Sequence, residues 1–265
     1  MNDAKEMKKF LTKSLALLLV LIMSVSVLAT APVKADEEDA VLISAKNDYS
    51  PYSWHPVVKD KVKTFANDNG GVIANCYYER IVLVGFKKGT KKINKALKKL
   101  SSAYSCDDLY DYAREAAEQG GVNDVYSDFT RSDVSYADQK YFSVVTTREW
   151  YAGGVGNYFT NGYVFNLDTG KRVSITTATG STLKQVKNAI ISAVKNDSEF
   201  GDYLTEYEPQ IKEFVNGLKA SDINYYINGY GKVVVLVAPY TEPFYGGWTR
   251  EYVLEDLPCV YDVIG

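Results

Sequence analysis

The stretch Tyr141-Phe142-Ser143-Val144-Val145-Thr146-Thr147-Arg148-Glu149-Trp150-Tyr151 decides the fold. Its β-branched and aromatic content predicts a strand, and its period of two matches side chains that point alternately to opposite faces. Ala152-Gly153-Gly154-Val155-Gly156 breaks the pattern. Asn157–Leu167 predicts a further strand, followed by the turn Asp168-Thr169-Gly170 and a short strand at Arg172–Ile175. Upstream, Val122–Tyr136 reads as a strand that reaches Tyr141 through a hairpin connection at Ala137-Asp138-Gln139. Consecutive strands joined by short turns predict an antiparallel sheet.

Farther towards the N-terminus, Val72–Phe86 is rich in Val, Ile and Tyr and predicts a strand. Thr90–Leu100 predicts a helix. Ile93, Leu97 and Leu100 make its apolar face, and Lys88, Lys91, Lys92, Lys95, Lys98 and Lys99 make a solvated one. A second helix is expected to begin near Cys106, capped by Asp107 or Asp108 and ended by Gly120-Gly121. Residues 36–71 read as loosely organised, with a short strand at Val41–Ile43. Towards the C-terminus, helices are expected over Thr182–Lys195 and over Glu208–Leu218, with Pro209 in the first turn of the latter. Strands follow at Asn224–Ile227, Lys232–Ala238 and Arg250–Leu254. The fold class is α+β, with antiparallel sheets packed against several helices.

The N-terminus has the form of a secretory signal peptide. Lys5, Lys8, Lys9 and Lys13 form a basic region, Leu15–Leu28 is an uncharged apolar run, and Val33-Lys34-Ala35 suits signal peptidase. Cleavage is expected after Ala35, where an acidic stretch begins; an uncleaved anchor is the alternative, and both export the remainder. No later segment is apolar enough to span a membrane. Residues 1–35 hold five basic and two acidic residues, so the remainder keeps 25 and 31 and a formal net charge of −6. A surface of that sign disfavours nucleic acid as a partner.

Three cysteines are present. In an exported chain Cys76 and Cys106 could pair, closing a loop worth roughly 3–4 kcal/mol; the other reading is three small buried hydrophobes. His55, in a Trp-His-Pro sequence read as a loop, is the single histidine, so Ser-His-Asp, Cys-His and histidine-rich metal sites have no basis. No cofactor motif occurs. Glu149, Asp168 and Glu251 are carboxylates that could pair for glycoside hydrolysis, but no spacing singles out two of them. Asp168 is expected to serve its own turn.

The 22 tyrosines, three tryptophans and ten phenylalanines carry more information. Tyrosine joins a flat apolar body to a polar tip, which suits recognition surfaces. Trp150, Tyr151 and Tyr158 surround the first glycine turn, and Tyr240, Phe244, Tyr245 and Trp248 the second. With both turns at one end of a sheet, these seven side chains would form an aromatic binding surface. The competing expectation is that many of them pack on sheet faces.

A family resemblance rests on Phe142-Ser143-Val144-Val145, Tyr151-Ala152-Gly153-Gly154, Phe165-Asn166-Leu167-Asp168-Thr169-Gly170-Lys171, Asp222-Ile223-Asn224-Tyr225-Tyr226, Pro239-Tyr240 and Tyr245-Gly246-Gly247. In their order and spacing these pieces resemble the RsiV-like exported bacterial proteins, which pair a DUF4163-type with a DUF3298-type domain. The resemblance covers about residues 72–255. It implies a DUF4163-like subdomain at 72–140 and a DUF3298-like one at 141–265. The family usually follows Gly-Gly with Ala-His-Pro, whereas Val155-Gly156-Asn157 stands here. Some 14 residues precede the apolar run, too few to hold a sigma factor, so the resemblance implies the extracytoplasmic module alone. Relatives include a sensor that binds lysozyme and domains attached to cell-wall deacetylases. The expected function is therefore non-catalytic binding, secreted or at the cell envelope, of a wall glycan or an envelope or extracellular protein. An enzyme acting on wall carbohydrate is the alternative.

Overall fold

A computed structural model describes residues 54–263 apart from 86, 102–105, 121–123, 198–200 and 245, with side chains of 201–205 and 262–263 also outside the description. The expected signal peptide at 1–35 and strand at 41–43 lie outside the described residues.

Five long strands form the main sheet in the order β1-β2-β3-β4-β5: β1 Trp54–Ala66, β2 Val72–Gly85, β3 Tyr126–Ala137, β4 Tyr141–Ala152 and β5 Val155–Asn166. The segment read as loose before residue 71 thus carries a strand that pairs with β2 along its whole length. Its sequence hid it: Lys59, Lys61 and Lys63 interrupt the apolar pattern, as befits a sheet edge, and Pro56 is tolerated where no further strand needs its missing N–H. His55 lies in this strand, exposed and opposite Val84, and not in a loop.

All neighbouring pairs in this sheet are antiparallel except β2 and β3, which run parallel. The departure from the expected antiparallel pairing has a simple cause. Two helices, α1 Thr90–Ser101 and α2 Asp107–Glu118, separate β2 from β3 and return the chain to its starting end. Residue 140 falls in the tight connection between β3 and β4, so the segments 72–140 and 141–265 share one sheet.

Alternation on β4 sorts its side chains into two layers. Phe142 and Val144 join Trp54, Ile81, Leu83 and the buried Ile93 and Leu97 of α1. Each such aliphatic burial stabilises by about 1.5–3 kcal/mol. Ala74, Cys76, Tyr78 and Tyr126 pack under Leu109 and Ala113 of α2. A disulfide joins Cys76 to Cys106, Cα atoms 6.1 Å apart, and ties the start of α2 to β2; Cys259 is unbridged. In the same layer Asp128 is buried. It accepts from Arg148 Nε at 2.7 Å and Nη2 at 2.6 Å and from the Tyr78 hydroxyl at 3.1 Å. A buried carboxylate requires such charge-assisted partners.

Tyr141 and Val164 belong to the other layer, the largest core cluster. It is completed by α3 Ile175–Thr179, α4 Leu183–Lys195, α5 Gly201–Gly217 and a second sheet in the order β6-β7-β8: Asn224–Ile227, Val233–Val237 and Arg250–Val253. The expected strand at 172–175 is reduced to one bridge, Arg172 with Phe165, because Ser174 caps the short helix α3 by accepting from Thr177 N. Thr182 and Gln185 form a capping box at the start of α4. Pro209 lies inside α5, which begins earlier than the proline suggested; Ile211 and Val215 hold the helix in the core. Gly162 of β5 lets β6 cross close by: a Cβ there would overlap the Tyr225 carbonyl. Among the described residues no helix is long and apolar enough to cross a membrane.

Candidate functional site

The first glycine turn is tighter than the sequence implied. Ala152 pairs with Val155, and Gly153 and Gly154 alone connect β4 to β5, both with positive φ (59° and 95°). That is the two-residue hairpin geometry glycine favours. It extends β4 and β5 to the end of the sheet and fixes which aromatic faces which side.

The second glycine turn docks on β5. Tyr158 N donates to Gly247 O at 3.4 Å, Thr249 N donates to Tyr158 O at 3.3 Å, and Tyr158 and Trp248 pair as a parallel bridge. The buried Thr249 hydroxyl accepts from Thr160 N at 2.8 Å. Tyr240 adds a further tie. Its backbone lies in the left-handed region (φ 58°), which for a non-glycine residue costs on the order of 1 kcal/mol. There its N donates to Gly246 O at 2.8 Å and its hydroxyl to Asn157 Oδ1 at 2.6 Å. Tyr158, Tyr240 and Trp248 are thereby held at one end of the sheet and remain 42%, 63% and 52% exposed.

The other four expected residues do not join them. Phe244 is 2% exposed, its ring 5.5 Å from Phe214 and 6.1 Å from Tyr252; it is core, because burying its ring anchors the loop on α5 and β8. Trp150 is half-buried on the α2 face, since strand alternation sends it away from Tyr158. Tyr151 shares the Tyr158 face by register, but its hydroxyl donates to Asp124 Oδ2 at 2.7 Å, on the β3 side. That hydrogen bond raises its pKa above the ordinary tyrosine value. Tyr245 lies outside the described residues.

Beside Trp248 opens a groove of about 410 Å³, walled by Asn196 and Asp197 after α4 and by Thr249–Val253. Arg250 lies 5.7 Å from the Trp248 ring, pairs with Asp197 at 3.8 Å and donates from Nε to Phe244 O at 3.3 Å. Sequence reading named Trp248 and Glu251 of this set and missed Arg250, Asn196 and Asp197. Trp248 and Arg250, two apart in an extended segment, were a signal for a shared face; Asn196 and Asp197 come from a distant helix end and gave none. The carboxylates considered for hydrolysis are separated in role. Glu149 is exposed on β4 opposite Tyr158, Asp168 pairs with Lys87 at 3.3 Å, and Glu251 accepts from the Tyr226 hydroxyl at 2.9 Å. Asn166, and not Asp168, stabilises the 168–170 turn: its Oδ1 accepts from the N–H of Asp168 and Thr169 at 3.1 and 2.8 Å. Among the described residues, no group of three His, Cys, Asp or Glu side chains could hold a metal ion.

The arrangement defines an α+β chain with a fixed, half-exposed aromatic cluster at one sheet end. No protein-family model and no curated protein matches the chain. Solved structures similar to it include a DUF3298 family member from Bacteroides fragilis, at 14% identity and a TM-score of 0.48, covering 76% of this chain and 90% of that one. A DUF3298 family protein from Pseudomonas aeruginosa is similar at 11% identity and a TM-score of 0.39, covering 77% and 91%. At such identities neither bears on ligand or activity.

Proposed function

We propose that the protein is a non-catalytic binding module of RsiV-like type, secreted or held at the cell envelope, whose ligand is a wall-related glycan or an envelope protein. The reading rests chiefly on the aromatic cluster. Tyr158, Tyr240 and Trp248 come from segments far apart in sequence, are pinned by backbone pairing, and still leave about half their surface to solvent. Large aromatics are normally buried or engaged, so a rigid exposed group of three is what a recognition surface requires. The basic, apolar and small-residue order of residues 1–35 supports export. The test is sedimentation of the protein with isolated cell-wall material. Saturable retention that weakens at least several-fold on Trp248→Ala supports the reading; retention unchanged by that substitution removes it.

A second reading, a carboxylate-dependent enzyme acting on wall carbohydrate, draws on one observation: Asp197 and Glu251 both line the groove beside Trp248. Product release from wall glycan that disappears with either Asp197→Asn or Glu251→Gln would favour it, and binding without turnover would dismiss it.

A further inference from the structure

The groove beside Trp248 has a continuation along α4. Gln185, Asn188, Ser192 and Asn196 follow one another at spacings of three and four, forming one polar stripe. A second groove, of about 540 Å³, lies along the first half of the stripe, between Gln185, Asn188 and Ser192 on the helix and Asp256–Pro258 after β8. The groove of about 410 Å³ lies along the second half, between Ala193, Asn196 and Asp197 and β8. From Gln185 to Asn196 the helix rises roughly 16 Å, at 1.5 Å per residue.

We propose that the two grooves act as one trough that binds a linear, uncharged oligosaccharide bearing hydroxyl and acetamido groups, with a terminal ring stacked on Trp248. This rests on the binding-module reading and narrows its ligand to one class. Three features carry it. The stripe offers amides and a hydroxyl, which exchange donor and acceptor hydrogen bonds with sugar hydroxyls and acetamides. Ala189, Ser192 and Ala193 keep the helix side low, so a ring can approach closely. The charged groups are the carboxylates Asp197, Glu251 and Asp256 and one guanidinium, Arg250, already paired with Asp197. Such a lining repels an anionic polymer and accepts hydroxyl hydrogens.

The experiment is calorimetric titration of the purified protein with N-acetylglucosamine oligomers from the disaccharide to the hexasaccharide. Affinity is expected to rise roughly tenfold from the disaccharide to the tetrasaccharide, as one or two net hydrogen bonds would give, and then level off. Asn188→Leu, with Ser192→Leu as a second variant, is expected to abolish that gain. Trp248→Ala is expected to weaken every length. Equal affinity at all lengths, or an intact gain in both helix variants, overturns the trough, as does equally tight binding of an extended Gly-Ser peptide. No saccharide binding, together with Trp248-dependent retention of a wall protein, overturns the trough and leaves the module reading standing. Loss of both sinks both.

Discussion

The hydroxyl of Tyr240 donates to Asn157 Oδ1 at 2.6 Å, joining a loop after β7 to the start of β5 across 83 residues of sequence. This bond, with the backbone pairing of Tyr158 to Gly247 and Thr249, makes one surface of two turns. Asn157→Ala is expected to cost about 0.5–1.5 kcal/mol. It should loosen the 239–247 loop selectively, read as faster hydrogen exchange there and unchanged exchange in β4. Uniform exchange would place the loop's rigidity elsewhere.

Gly162 fixes the distance between β5 and β6. Gly162→Ala pushes a methyl group into the Tyr225 carbonyl and is expected to destabilise by about 1–3 kcal/mol. Denaturant unfolding measures it; a neutral result would mean that β6 does not cross here.

The buried carboxylate of Asp128 pairs with the half-buried guanidinium of Arg148, with Tyr78 behind it. Arg148→Ala leaves a buried charge and is expected to cost about 3–5 kcal/mol. Asp128→Asn keeps the shape and should cost less, so the difference between the two variants isolates the uncompensated charge.

How legible was this molecule in its sequence? The pattern at 141–167 carried the β-hairpin because alternation and glycine are local signals. β1 was missed because an edge strand needs only one partner and tolerates lysine and proline, which erases its signature. The parallel β2–β3 pairing depends on how two helices return the chain, a non-local property. Among the seven aromatics, residue type could not separate Phe244, which has no polar tip and anchors the core, from Tyr158, Tyr240 and Trp248. Only the tertiary approach of 247–249 to β5 distinguishes them. Asn196 and Asp197 became site residues through the packing of α4 beside β8, which no local motif encodes.

Several tyrosines resist ionisation. Burial, with the Glu79 carboxylate adding to it, raises Tyr77 to about 12, and burial is likewise the main cause that raises Tyr78, Tyr225, Tyr226 and Tyr252. Each is held protonated in the folded state, while the unfolded chain ionises near the ordinary value of about 10. Their contribution is therefore complete below pH 10 and is lost as pH rises towards 12. Stability should fall across that window, in step with a late phase in the ultraviolet titration of tyrosine. Full tyrosine ionisation near pH 10 without unfolding would contradict this burial.

The most direct measurement is hydroxyl-radical footprinting of the protein with and without isolated cell-wall material. Protection is expected at Tyr158, Tyr240 and Trp248, with Trp150 and Tyr151 unchanged. Binding that leaves those three side chains as reactive as before, or protects another surface, would contradict the assignment of recognition to this end of the sheet.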